Sequence, residues 1–301
     1  MASQKLESHD ICAVIVTYHP DTQFQQRLAA ITRQVGKVII VDNGSSQRAI
    51  TMLQEICQNS AVELILNEAN FGIAKALNIG ISHAKQQGYL WAILFDQDST
   101  AHNDLAISLC HIYSVHPSPD QIALIGANYK NILKNMQNKS TCQSESADEW
   151  SEVKRVITSG SLLSLPIYDK IGRFRDDFFI DLVDIEYCMR ARRMGYQVIK
   201  SSKFLMSHSI GFPSQHRLLG RIIWTTNHAP IRRYYYARNY VAIQREYGNY
   251  IFAWWAIKSL KKSIRLSTII LLFEQNKLAK ISAIAKGWWH GMSNQMGKYE
   301  L

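Results

Sequence analysis

The sequence predicts an α/β protein built on a mostly parallel sheet flanked by helices. Three observations carry this. Apolar runs without polar alternation recur at Ile11–Thr17, Lys37–Asp42, Val62–Leu66 and 91–95. Such runs suit strands buried on both faces. Each run ends in a turn signal, and helically patterned stretches separate the runs. Four strands alternating with helices in about 90 residues argue for parallel crossovers. Acids also gather where strands end: Asp42 closes the second run, and Asp96 and Asp98 follow the fourth. In open α/β sheets the ligand crevice lies at the carboxyl ends of the strands.

The remaining elements follow in order. Tyr18-His19-Pro20-Asp21 breaks the first run, and 22–32 reads as a helix. Asn43-Gly44-Ser45-Ser46 is a turn leading into a helix N-cap, with the helix over 46–58. Asn70-Phe71-Gly72 opens a helix that ends at Gln87. Residues 122–128 read as a strand and 130–152 as a polar, irregular surface loop. Residues 153–165 read as a strand interrupted at Ser159-Gly160-Ser161, the glycine marking close backbone approach. A helix over 183–195 closes on Gly195, and 197–201 returns as a strand. Residues 230–301 read as helical, mixing basic and aromatic side chains.

Composition narrows the class. At 47% hydrophobic and 19% charged, 301 residues can bury a large core, which argues against disorder. Five scattered cysteines without a CxxC indicate reduced thiols in a cytoplasmic protein. Residues 1–189 carry a net charge of −6 and residues 190–301 a net of +16. A basic half implies an anionic partner such as nucleic acid, a phospholipid surface or a diphosphate. The polar start predicts no signal peptide. No run approaches the roughly 18 apolar residues of a membrane span, so peripheral attachment is the expected limit of membrane contact.

Several residues are candidates for chemistry. Asp96 and Asp98, at i and i+2, would converge from an extended strand on a hard cation, Mg²⁺ or Mn²⁺, carrying a substrate phosphate. An equally available reading is an N-cap, since Asp98-Ser99-Thr100 is good capping chemistry. Asp42 can accept hydrogen bonds from a nucleobase or ribose, or simply precede an Asn-Gly turn. In Asp181-Leu-Val-Asp184-Ile-Glu186, acids suit the first turn of a helix, and Asp184 could serve as a general base. Glu186 and Arg190 form an i,i+4 pair. His208 could complete a carboxylate-bound metal site or be structural. Arg232 and Arg233, with three following tyrosines, suit a diphosphate. Trp254, Trp255, Trp288 and Trp289 among seven lysines and arginines suit either an amphipathic helix on an anionic leaflet or a buried packing helix. There is no GxGxxG after the first strand and no P-loop.

Taken in order, Val16-Thr17-Tyr18, Val41-Asp42-Asn43-Gly44-Ser45, Asn67 through Asn70-Phe71-Gly72 with Asn78, Asp96-Gln97-Asp98, Ser159-Gly160 and 181–190 resemble family 2 glycosyltransferases. The resemblance runs over about 10–245 and is nearest to bacterial rhamnosyltransferases of O-antigen and related surface polysaccharides. It implies a GT-A fold, Rossmann-like, over 1–245, with a nucleotide-sugar half at about 10–128 and an acceptor half at about 150–245. Residues 246–301 would be a helical basic extension. It implies inversion at the anomeric carbon, with dTDP-L-rhamnose or another UDP- or GDP-hexose as donor. The donor site would comprise Thr17, Tyr18, Asp42, Asn70, Gly72, Asp96 and Gln97, with metal on Asp96 and Asp98. Relatives carry an acidic pair before the base's helix. Here Val183 stands in the first position, so Asp184 is the implied base, with Asp181 and Glu186 the neighbouring acids. The implied acceptor is a polyprenyl-diphosphate-linked saccharide at the inner face of the cytoplasmic membrane. A basic nucleic-acid-binding module is the rival from another class.

Overall fold

A computed structural model of the protein describes residues 6–58, 60–131, 148–208, 214–218, 221–248 and 252–299. Contacts divide the chain into two compact units. The first comprises residues 1–175 and 187–209, the second residues 176–186 and 210–301.

The first unit holds the expected strands β1 (Ile11–Thr17), β2 (Lys37–Asp42), β3 (Val62–Leu66) and β4 (Trp91–Asp96). All seven residues of β1 are buried, as two-sided coverage requires. The four strands lie parallel in the order β3-β2-β1-β4. The crossovers run through α1 (Phe24–Thr32), α2 (Gln47–Ile56) and α3 (Ile73–Gln86). A Cβ on Gly80 of α3 would sit 2.4 Å from Val14, so the glycine lets this helix lie close on the sheet. β1 stands between β2 and β4, where the winding direction reverses. That reversal is where α/β sheets open a crevice.

Beyond β4 the sheet is mixed. β5 (Thr100–Ala101), β6 (Ile122–Asn131), β7 (Trp150–Glu152), β8 (Ser161–Ser164) and β9 (Gln197–His208) complete it. β8 inserts antiparallel between β4 and β6, and β6 pairs parallel with β9. β9 runs past the expected 197–201 and takes β5 and β7 antiparallel at separate points. Trp150–Glu152 therefore belongs to the sheet and not to a loop. At the other end of the expected loop Lys130 and Asn131 close β6, and residues 132–147 lie outside the described residues. Only Ser161–Ser164 of 153–165 is strand, because Leu165 opens a helix, α5 (Leu165–Ile171), with Pro166 in its first turn. Between β5 and β6 lies α4 (Leu105–Val115). Gly160, at φ 71°, faces the Met206 sulfur, which a Cβ there would meet at 2.3 Å. This is the close approach the glycine predicted.

The helix α6 (Val183–Arg193) closes on Gly195, at φ 87°. The second unit contains the hairpin β10 (Ser214–Leu218) and β11 (Arg221–Thr225), then α7 (Pro230–Tyr247), α8 (Phe252–Phe273) and α9 (Lys277–Met292). α9 packs on α7 through two glycines one turn apart. A Cβ on Gly287 would lie 2.3 Å from the Tyr234 carbonyl oxygen, and one on Gly291 would lie 2.7 Å from that of Arg238. A buried ion network joins the three helices' ends. Arg233 pairs with Glu274, and Lys280 Nζ lies 2.9 Å from the other Glu274 oxygen. All three side chains are at most 9% exposed. Each charge is held there by its partner, since removing one would leave another buried and uncompensated. Among the described residues no helix is long and apolar enough to cross a membrane.

Candidate active site

The floor of the crevice in the first unit is built from the ends of β1, β2 and β4. Asp42 is fully buried. Its carboxylate accepts from Thr17 Oγ1 (2.9 Å), the Ser45 amide (2.9 Å) and Ser45 Oγ (2.6 Å). Three donors on one carboxylate make Asp42 the anchor of the turn that follows it. Gly44 occupies that turn at φ 81°, and a Cβ there would meet the Ala69 backbone at 2.6 Å. Asn43 continues the scaffold. Its Oδ1 accepts from Asn67 Nδ2 and from the Phe71 amide, and its Nδ2 donates to Asn70 Oδ1, each at 3.1 Å. Asn70 Oδ1 also accepts from the Gly72 amide at 2.9 Å. A set of side-chain amides thus ties the β2 turn to the start of α3. Asn78 is equally enclosed and accepts from Tyr168 and from the Phe174 amide.

The turns after β1 and β4 are joined by one side chain. Gln97 Oε1 accepts from the Tyr18 amide (2.7 Å) and its Nε2 donates to the Tyr18 carbonyl (3.1 Å). Arg27, 8% exposed, donates through Nε to the Gln97 carbonyl (2.8 Å) and pairs with Asp21. The Tyr18 ring is left 46% exposed above this tie. His19, at φ 50°, accepts from the Ser46 amide.

Asp96 and Asp98 sit on a turn and not along one strand. β4 stops at Asp96, and the Ser99 amide donates back to the Asp96 carbonyl (3.2 Å), closing a turn with Gln97 and Asp98 at its corners. The alternation of an extended strand therefore does not place the pair. Capping does not explain it either: Thr100 is in β5, and α4 starts only after Asp104. Ser159 holds the turn, accepting from the Asp96 amide (3.1 Å) and donating to Ser99 Oγ (2.7 Å). Asp96 is partly buried and Asp98 exposed. Among the described residues no three His, Cys, Asp or Glu side chains group to hold a metal. The backbone of His208 ends β9, and its side chain lies outside the described residues.

The acids of the second unit separate clearly. Glu186 is fully buried and accepts from Tyr247 Oη at 2.5 Å. In the first unit, Arg190 donates to the carbonyls of Ile171 and Arg173 (3.0 and 2.8 Å) and so closes the end of α5. Asp184 is half-buried in the first turn of α6, its Oδ1 accepting from the Ile185 amide at 2.8 Å. The helix dipole favours an anion there. Asp181 takes a two-pronged contact from Arg232, with Nη2 at 2.6 Å and Nε at 3.3 Å. Arg233 does not join it: expected at a diphosphate, it lies 8% exposed in the pair with Glu274, because α8 and α9 close over it. Burial first, and then Arg232 and Arg233, push His228 down to about 4, so it is neutral at physiological pH.

The sequence model of glycosyl transferase family 2 matches residues 12–117. The dTDP-rhamnosyl transferase RfbF of Shigella flexneri is 30% identical over 277 residues, which span 89% of this chain and 90% of that protein. The chain belongs to glycosyl transferase family 2. Solved structures agree in fold. The mannosyltransferase PcManGT of Pyrobaculum calidifontis, in complex with GDP-Man and Mn²⁺, gives a TM-score of 0.59 at 11% identity, covering 95% of this chain and 88% of that one. TarS 1-349 of S. aureus gives 0.56 at 12% identity, covering 95% and 81%. The motif order thus identified the family, but not how this glycosyltransferase organises its floor. Arg27 and Ser99 carried no signal, being an ordinary helix arginine and a presumed cap. Arg27 could have been found only by noting that it follows Asp21 by six residues.

Because Gln97 pairs both backbone groups of Tyr18, Gln97→Ala should loosen the crevice floor with little loss of fold. Losing two hydrogen bonds should cost about 1 kcal/mol of stability each, and the freed Tyr18 turn should bind nucleotide more weakly. Isothermal titration with nucleoside diphosphate and a thermal melt on the same samples would check this. An unchanged affinity would show that the tie does not shape the donor site.

Proposed function

We propose that this glycosyltransferase moves L-rhamnose, with inversion, from dTDP-L-rhamnose to a hydroxyl of a lipid-linked saccharide during bacterial surface polysaccharide assembly. The observation that carries the reading is the identity with a dTDP-rhamnosyl transferase along nearly the whole of both chains. In the donor half, Thr17, Tyr18, Asn70 and Gly72 line the floor. Asp42, fully buried beneath Thr17 and Ser45, shapes that floor by holding the turn that would meet the nucleobase. Asp96 and Asp98 would hold Mg²⁺ or Mn²⁺. Two hard oxygen donors on one turn at the strand ends fit such an ion, and PcManGT was solved with Mn²⁺ and a nucleotide sugar. When bound, the ion supplies neutralisation of charge on the leaving diphosphate. Gln97 and Ser159 keep the turn that carries both aspartates in shape. Arg232 is the arginine of the pair whose side chain stays 42% accessible while it holds Asp181, and phosphate would be met there.

Asp184 would accept the proton of the acceptor hydroxyl as that oxygen attacks the anomeric carbon. Glu186 is enclosed with Tyr247, which suits a structural role. The acceptor would be carried on a polyprenyl diphosphate and met at an anionic membrane surface. α8 supports this partner. Ile257, Leu260, Ile264 and Leu271 are all exposed, at 44 to 57%, and their spacing puts them on one face. Lys258, Lys261, Lys262 and Arg265 are exposed beside them, and α8 contains no acid. An apolar stripe edged by cations suits an anionic leaflet. The Trp pair of α9 is divided, with Trp289 63% exposed and the Trp288 nitrogen buried. α9 packs on α7 through Gly287 and Gly291, and α8 carries the lipid-facing reading.

A panel of dTDP-, UDP- and GDP-sugars, scored by release of nucleoside diphosphate with and without EDTA, tests the activity. Turnover is expected with dTDP-L-rhamnose and lost with chelator. A UDP- or GDP-hexose as the better donor would refute the donor, and activity surviving EDTA would refute the metal.

The base assignment is checked by Asp181→Asn, Asp184→Asn and Glu186→Gln compared side by side. Asp184→Asn should lower kcat by about 10²–10⁴-fold with donor Kd little changed. Near-normal kcat in that variant, with loss in another, would move the base. Leu260→Ser with Ile264→Ser should release the protein from phosphatidylglycerol vesicles and spare turnover on a short soluble acceptor. These side chains are exposed, so folding is undisturbed, and equal vesicle binding would dismiss the membrane face.

A further inference from the structure

We propose that Arg238 and Asn239 are positioning residues for the transfer reaction: they clamp the loop 177–182 in a backbone shape that sets the direction of Asp184. The proposal rests on Asp184 being the general base.

The loop is in an unusual conformation. Phe179, Asp181 and Leu182 have φ of 62°, 66° and 64°. Elsewhere among the described residues, non-glycine positive φ occurs only at His19, Asn227, Asn276 and Asn294. Asn, Asp and His tolerate this region, whereas Phe and Leu are genuinely strained in it. Such a run persists only where its surroundings over-determine it.

The surroundings come from one face of α7. Asn239 is fully buried, and its Nδ2 lies 3.0, 2.9 and 2.8 Å from the carbonyl oxygens of Phe178, Ile180 and Asp181. The amide cannot be reversed, because Oδ1 accepts from Arg238 Nε at 3.1 Å. Arg238, 1% exposed, donates through Nη2 to the carbonyls of Asp177 (2.8 Å) and Phe178 (3.1 Å), and through Nη1 to that of Gly297. Gly297 in turn donates its amide to the Asp177 carbonyl at 2.8 Å. Phe179 stacks on Tyr235 with ring centres 4.9 Å apart, and the same Tyr235 ring faces the Arg238 guanidinium at 4.9 Å. Arg232 holds Asp181 from the exposed side. Residues 232, 235, 238 and 239 recur at helical spacing and all serve this one loop. The basic and aromatic block thus grips backbone carbonyls.

The strained residues adjoin the proposed base. The Glu186 amide donates to the Leu182 carbonyl at 3.0 Å, so Leu182 is where the loop becomes α6. Asp184 stands two residues further on. If Asp181 and Leu182 relaxed to right-handed φ, the first turn of α6 would enter at a different angle and carry Asp184 with it. A merely stabilising clamp would alter melting temperature alone. A positioning clamp alters kcat.

The test is Asn239→Ala, with kcat, donor Kd and melting temperature measured together. Loss of positioning predicts kcat lowered on the order of 10²-fold, as for misplacement by about 1 Å, with donor Kd unchanged. Glycine enters positive φ without a Cβ penalty. Adding Leu182→Gly to Asn239→Ala should therefore recover part of the lost kcat. Near-normal kcat in Asn239→Ala, assayed well below its melting temperature, overturns the proposal. In an Asp184→Asn background Asn239→Ala should cost nothing more, and a further loss of the same factor also overturns it. If Asp184→Asn alone keeps full turnover, the base assignment is what has failed. Should Asn239→Ala not fold by circular dichroism, Asn239→Ser keeps one donor and is measured in the same way. Unchanged kcat there is equally fatal.

Discussion

Burial of β1 on both faces is the constraint on which the first unit depends. A strand with all seven residues out of water, hydrogen-bonded to β2 on one side and β4 on the other, has no lateral surface on which to present polar chemistry. Its backbone groups are satisfied in the ladders, and its side chains fill the space beneath the helices. Polar groups can emerge only where the strands stop. The parallel order brings three of those ends, at Thr17, Asp42 and Asp96, to the same edge of the sheet. The crevice is a consequence of that enclosure.

At this edge the chain uses neutral amides and hydroxyls to fix carboxylates. Asp42 is held by Thr17 and Ser45, and the aspartate turn by Gln97, Ser99 and Ser159. Uncharged donors hold a carboxylate without neutralising it. The dication and diphosphate proposed for this edge would need that negative charge preserved until they arrive. Arg27 is the exception, and its charge is taken up by Asp21.

The second unit handles its charge differently. Its cations are put to different uses. Arg233 and Lys280 are neutralised by Glu274 in the interior, Arg238 is spent on backbone carbonyls, and the lysines of α8 are exposed. Burial lowers Arg238 from its ordinary value. The guanidinium tolerates this because carbonyl dipoles and two tyrosine rings replace the water it loses. The excess of positive charge in this half is thus part scaffold and part surface, in residues that composition alone cannot tell apart.

Local sequence determined a good deal: the buried strands, the glycine turns at Gly44 and Gly72, the closure of α6 at Gly195 and, through the order of short motifs, the family. These features depend on few neighbouring residues, so a linear pattern encodes them. Only tertiary structure decided which residues meet. Asp96 and Asp98 share a turn because Ser159, sixty-three residues beyond Asp96, holds it. Trp150–Glu152 became strand because β9 offered it an edge. Arg233 was withdrawn from the surface because α8 and α9 cover it, while Arg238 and Asn239, six and seven positions beyond Arg232, turned inward onto the carbonyls of 177–181. Adjacent arginines on a helix point in different directions, and what each one meets is set by packing from distant parts of the chain.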